Sequence, residues 1–248
     1  LLALSELGVQ PDFVIGTSVG ALNGALLAAA PELAAEELRY IWLEIDQRVI
    51  FGGSRLAAAR TLVKSRGSYL STPDGLVDLI TVHTPVSQIE DLALPLGAVA
   101  TDSLSGDPIV LESGNLHDAL LASSAIPGVF PEVEIGGRPL VDGGVVANVP
   151  IRQALTRGAA TTVVLDATPA QLTLRPPRRP VARMMHTAAL MLRSQASADV
   201  SNIADDQVVV RLPKATPDGQ SSFRFSETPD LIERGRHRTL QALEHTAR

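Results

Sequence analysis

Hydrophobic positions along this chain change their period many times, and the changes mark the elements. "LLALSEL" carries leucines at helical spacing and stops at Gly8, a residue suited to the left-handed turn that ends a helix. After Pro11, "DFVIG" is a short aromatic and β-branched run of the length of a buried parallel strand. Residues 21–30 then read as a helix, and Pro31 fits the first position of another, with Ala34, Leu38, Ile41, Trp42 and Ile45 at helical spacing. "FGGSR" at 51–55 reads as a loop without a role. Further on, "LGAVATD" (96–102) and "PIVL" (108–111) form a hairpin, "LHDALLASSA" a helix, and "VEIGGRPLVD" a second hairpin turning at Gly136-Gly137. "IRQALTRG" is a short helix, and "TTVVLDAT" and "DDQVVVRLP" are strands. Residues 169–180, with Arg175, Arg178 and Arg179, are a proline-rich solvated connector leading into a helix, and "TPDGQSSFRFS" is a loop before a C-terminal helix over 230–246. Strands alternating with helices predict an α/β layered fold in one domain, residues 1–248.

Composition narrows the partners. With 248 residues, 45% of them hydrophobic, the chain can bury about three quarters of its unfolded surface. A formal net charge of −6 argues against affinity drawn from nucleic-acid phosphates. The absence of cysteine removes disulfides, thiolate metal sites and cysteine nucleophiles, and no histidine cluster suggests a metal, so neither metal nor cofactor is expected. No run approaches the ~20 apolar residues of a membrane span. A cytoplasmic protein, peripheral at most to a membrane, is the expectation; the oligomeric state is not readable.

The candidate chemistry lies in two short stretches. Gly16-Thr17-Ser18-Val19-Gly20 is a GxSxG pentapeptide that follows a strand and opens a helix, the setting of a nucleophile elbow. The glycines would spare a collision across a sharp turn and leave the Ser18 hydroxyl exposed beside a helix N-terminus. The bland alternative is a small residue in a tight turn. A serine nucleophile needs a base. The five histidines, His83, His117, His186, His237 and His245, all fall within helices or at their ends, and none stands beside glycine at a strand end. Asp142-Gly143-Gly144 does: the aspartate closes a strand, and the glycines permit a sharp turn that presents its carboxylate. Its bland alternative is an aspartate bonding its own turn. A carboxylate serving as base must touch the hydroxyl directly and be poorly solvated.

Together these residues resemble the patatin-like phospholipases. "ELGVQPDFVIGTSVGALNGALLA" is similar to the family's first helix, strand, elbow and following helix, "ASSAIPGVFP" to its middle segment, and "LVDGGVVANVPI" to its aspartate segment. The resemblance implies a three-layer α/β/α fold with a mainly parallel central sheet. It also implies Ser18 as nucleophile, Asp142 as its proton acceptor, and hydrolysis of a phospholipid or other acyl ester through an acyl-serine intermediate. In the family a glycine-rich oxyanion loop precedes the first helix; this sequence starts at that helix, so an upstream strand and loop are expected in the natural chain. The alternatives are an impaired domain that binds lipid or a partner, and an acyltransferase, although Thr17 and Ala21 stand where the acyl-carrier-protein acyltransferases have histidine and glutamate.

Overall fold

The computed structural model describes residues 1–45, 55–65, 68–84, 86–167, 183, 186–187, 190–191, 207–215 and 227–246. The loop expected at 51–55 (all but Arg55), the arginine-bearing connector, most of the helix after it and the loop at 216–226 lie outside these residues. The chain divides into two compact units.

The larger unit, residues 11–38 and 44–150, is built on strand β2 (Leu96–Asp102), every residue of which is buried. Strand β1 (Val14–Thr17) runs parallel to it, with Thr17 level with Val99. On the sheet path β1-β2-β5-β4, strand β5 (Arg138–Asp142) lies on the other side of β2 and runs antiparallel, with Asp142 level with Ala100. β3 (Pro108–Leu111) and β4 (Val133–Ile135) complete the five strands as hairpin partners of β2 and β5. The fold class is α/β, as expected. Its parallel pairing is carried by β1–β2, and by β6–β7 below, while the hairpins and β2–β5 add three antiparallel pairs. In the hairpins the turns are too short for any crossover, so antiparallel pairing is forced there.

One face of this sheet carries helices α2 (Val19–Ala29), α5 (Asp74–His83) and α6 (Leu116–Ser123). Ala21, Ala25 and Ala28 from α2, Leu76 and Ile80 from α5, and Leu116, Ala119 and Leu120 from α6 form one buried cluster with Leu96 and Ala98 of β2. The alanines let α2 lie close to the sheet. Gly24 takes this to its limit, since a Cβ there would stand 2.9 Å from Val14 Cγ1. α6 starts as a helix should, with Asn115 Oδ1 accepting from the Asp118 N–H at 3.0 Å. Helix α3 (Ala34–Glu44) begins three residues later than the sequence suggested. Pro31 stands in a turn before it rather than at its first position, and the Leu33 and Ala34 N–H groups bond to Ala30 O. α4 (Arg55–Lys64) and α7 (Gly144–Ala147) are further helices among this unit's described residues.

The smaller unit takes in residues 1–10, 39–43 and 151–248. α1 (Leu2–Glu6) ends before Gly8, whose φ of +67° is the left-handed conformation expected there. Glu6 and Arg236 of α9 (Thr228–Thr246) form a two-pronged ion pair that holds the Glu6 carboxyl below its usual range. α8 (Ile151–Thr156) precedes β6 (Thr161–Val164), which pairs in parallel with β7 (Val208–Arg211). Among the described residues no helix is long and apolar enough to cross a membrane.

Candidate active site

The register of β2 explains why the serine and the aspartate meet. β1 runs with β2 and stops level with Val99; β5 runs against it and stops level with Ala100. Two strands approaching from opposite directions therefore end at the same height, on either side of one central strand. Neighbouring strands are about 4.8 Å apart, so the two ends are separated by about 10 Å, a gap that a sharp turn and two short side chains can close. Asp142 is level with Ala100 and two residues from Leu140, so it shares the face on which Ala100 and Leu140 pack against Ala122 of α6.

At the end of β1 the backbone turns abruptly. Ser18 has φ 54° and ψ −124°, and it is the one non-glycine residue with positive φ among the described residues. For a residue with a Cβ such a conformation costs about 1–3 kcal/mol and persists only where its surroundings enforce it. Part of that enforcement is steric. A Cβ on Gly16 would collide with the Gly20 carbonyl, so only glycine lets the strand and the helix start this close together. Gly20 differs from expectation: among the described residues a Cβ there would meet nothing within 4 Å, so their packing does not demand the second glycine. Its neighbour Val19 is 36% exposed. Thr17, buried, donates its hydroxyl to Ala147 O at 2.7 Å and so ties the elbow to α7.

Ser18 occupies the N-cap position of α2 but does not cap it, since its side chain accepts no helix N–H. The hydroxyl bonds instead to the Asp142 carboxylate. The hydroxyl is therefore directed at a carboxylate from another strand and not at its own helix.

Asp142 is 6% exposed. Burial pushes its carboxyl up from 3.8 to about 6, against the opposing pull of the hydrogen bonds from Ser18 and from the Gly144 N–H, which reaches Oδ1 at 2.7 Å. The self-bonded turn anticipated as the bland reading is thus present, and the same carboxylate also holds the serine. Its backbone is pinned on both sides: the Asp142 N–H donates to Ala125 O at 2.9 Å, and the Thr101 hydroxyl donates to Asp142 O at 3.0 Å. Gly143 has an ordinary helical conformation, yet a Cβ on it would run into the Val99 carbonyl. A Cβ on Gly144 would stand 2.9 Å from Asp142 Oδ1. Both glycines are required because of what lies against them.

Three relatives extend the picture. Residues 1–155 match the family model described as patatin-like phospholipase. The chain belongs to the patatin-like phospholipase family. An uncharacterized NTE family protein of Mycobacterium tuberculosis is 30% identical over 164 residues, which are 66% of this chain and 43% of that protein. A second uncharacterized NTE family protein of the same organism is 33% identical over 156 residues, 59% of this chain and 24% of the relative. Patatin-like phospholipase domain-containing protein 7 of Mus musculus is 32% identical over 170 residues, 67% of this chain and 12% of that protein. The chain thus matches less than half the length of each. Family membership supports lipid hydrolysis in general terms.

Within the larger unit, neither His83 nor His117 is among the hydrogen-bond partners of Ser18 or Asp142. His83 is the last residue of α5, and His117, in the first turn of α6, has Nε2 3.1 Å from the Thr84 hydroxyl. His186 is helical, and His237 and His245 lie in α9. Among the described residues no three histidine, aspartate or glutamate side chains gather as a metal cage. Sequence reasoning gave no role to Ser123, although its segment "ASSAIPGVFP" stood out. The signal was two serines following the apolar run Ala119–Ala122 at the end of a helix, where solvent could not be their partner.

Proposed function

We propose that this protein is a serine acyl hydrolase acting on phospholipid or a related acyl ester, with Ser18 as nucleophile and Asp142 as general base. The observation that carries the reading is the Ser18 hydroxyl bonded to a buried carboxylate from a strained backbone, in place of the helix cap its position would allow. Ionised Asp142 takes the proton of Ser18 Oγ as that oxygen attacks the ester carbonyl carbon. The tetrahedral intermediate collapses, the acyl–oxygen bond breaks, and the protonated carboxyl returns its proton to the leaving alcohol. Water then attacks the acyl-serine, losing its proton to Asp142, and the released serine recovers that proton as the fatty acid departs. A carboxylate is a weak base toward a serine, and burial corrects this in part by raising its basicity. The start of α2, with first-turn N–H groups lacking intrahelical acceptors, lies beside the developing negative charge. Metal and cofactor have no part in this scheme.

The test uses the full-length protein and a soluble p-nitrophenyl ester. Ser18→Ala is expected to abolish turnover and fluorophosphonate labelling with the fold intact, and Asp142→Asn to lower kcat by about a thousandfold or more. Substituting the histidines singly should leave the chemical step within a few-fold. A histidine variant as dead as Ser18→Ala would mean a triad enzyme. A folded protein that neither labels nor hydrolyses would point to a lipid-binding domain instead, and acyl transfer to an added alcohol outpacing hydrolysis would point to an acyltransferase.

A further inference from the structure

We propose that Ser123 is a positioning residue that holds Ser18 in its reactive backbone conformation. Ser123 is the last residue of α6 and is 0% exposed. Its Oγ accepts the Ser18 N–H at 2.9 Å and donates to Val99 O at 2.6 Å. The hydroxyl therefore links the elbow to the central strand at the level where both flanking strands end. Its backbone reaches the other motif, because Ser123 O accepts the Gly143 N–H at 3.4 Å. One residue touches both turns and the strand between them.

The chemistry of this link is directional. A hydroxyl has one hydrogen, and here it is committed to Val99 O, which leaves the oxygen lone pairs facing Ser18. At a φ of 54° the Ser18 side chain is carried to a position, relative to its own N–H, that a residue in a strand or helix does not take. Without the Ser123 oxygen as acceptor, a partly buried N–H would gain by rotating toward another partner, and rotation about φ moves Cβ and Oγ relative to Asp142. The bond thus opposes relaxation of the strained residue without touching the reacting atoms.

This proposal rests on Ser18 being the nucleophile, and the experiment separates the two. In the full-length protein, kcat and KM for a soluble p-nitrophenyl ester and the rate of fluorophosphonate labelling are measured for Ser18→Ala, Ser123→Ala, Ser123→Thr and Thr84→Val. Thr84 has a buried hydroxyl bonded to Ile80 O and His117, residues that belong to neither motif, and serves as the control for losing a buried hydrogen bond. Ser123→Ala is expected to lower kcat and the labelling rate together by about ten- to a hundredfold, as one positioned hydrogen bond would, with KM within about twofold. Ser123→Thr, which keeps the hydroxyl, should recover most of that loss, and Thr84→Val should keep wild-type kcat. If Ser123→Ala does not fold, Ser123→Cys, which keeps the volume and only a weak acceptor, is judged by the same criterion. A folded Ser123 variant with kcat within twofold of wild type, while Ser18→Ala is dead, overturns the positioning role and spares the nucleophile. An equal loss in Thr84→Val also overturns it, and an active Ser18→Ala overturns the reading beneath it.

Discussion

Gly136-Gly137 and Gly143-Gly144 stand before and after the same strand, β5, and as letters they are the same dipeptide. The first pair has φ of +60° and +75°, and a Cβ on either residue would meet nothing within 4 Å. The second has no such backbone need at Gly143, whose φ is −61°, yet a Cβ there would strike the Val99 carbonyl. One pair is glycine because of conformation, the other because of proximity. The hairpin turn needs a left-handed backbone that asparagine can partly supply; the turn after Asp142 needs empty volume that only a missing side chain provides. Close approach of backbone to backbone also marks the elbow, at Gly16, whereas Gly20 resembles neither pair, having room without positive φ.

The strongest way to break this comparison is Gly143→Ala. The new methyl must displace the carbonyl of a strand buried along its whole length, and cores answer such overpacking with about 1–3 kcal/mol or more. Because the displaced strand also sets the level of Asp142 and of the Ser123 hydroxyl, activity should fall by more than a hundredfold. Thermal melting and kcat measured on the same sample test this, and a variant with wild-type values of both would show that the tight approach carries no weight.

A middle-sized effect separates the two turns by pH. Burial raises the Asp142 carboxyl to about 6 in the folded chain, from 3.8 when exposed. Between those values the folded form keeps a proton that the unfolded form has lost. The group's contribution to stability is therefore fully present below pH 3.8 and is lost as pH rises through about 6. At pH 8 the cost of holding the carboxylate ionised is about 3 kcal/mol, by linkage at 1.36 kcal/mol for each unit. Asp142→Asn should accordingly raise the melting temperature over wild type at pH 8 and make little difference at pH 4, while kcat of the wild type should fall as pH drops through about 6. A stability gain independent of pH would contradict a buried, ionised carboxylate at this turn.

Much of this was legible in the chain because it depends on local pattern. The hairpin 96–111, the Asn115-capped helix and the Gly136-Gly137 turn follow from period and turn chemistry within about fifteen residues, and the residue bounds agree closely. The elbow was legible as a strand, a serine and a helix in sequence. What could not be read was which strand lies between Ser18 and Asp142, since 124 positions separate them and only the opposed directions of β1 and β5 along β2 bring them level. Ser123 escaped for the same reason: its partners, Ser18 and Val99, lie 105 and 24 positions away. Pro31 was misplaced because a proline suits both the first turn of a helix and the turn before one, and the Ala30 carbonyl, which accepts the N–H groups of Leu33 and Ala34, selects the second.

The smallest expected effect sharpens the comparison from the other side. Gly137→Ala puts a methyl into open space at φ +75°, so the entire cost is backbone strain, about 1 kcal/mol. Asn tolerates the left-handed region better than alanine, so Gly137→Asn should recover a good part of that loss. Neither substitution should alter kcat, because the hairpin tip joins the far end of β5 from Asp142. Denaturant midpoints for wild type, alanine and asparagine variants, with kcat for each, measure both halves of the claim. If alanine and asparagine cost the same, conformation is not what makes this position glycine. If either lowers kcat as Gly143→Ala does, the two glycine pairs are not separable, and strain at the tip of β5 reaches the carboxylate at its end.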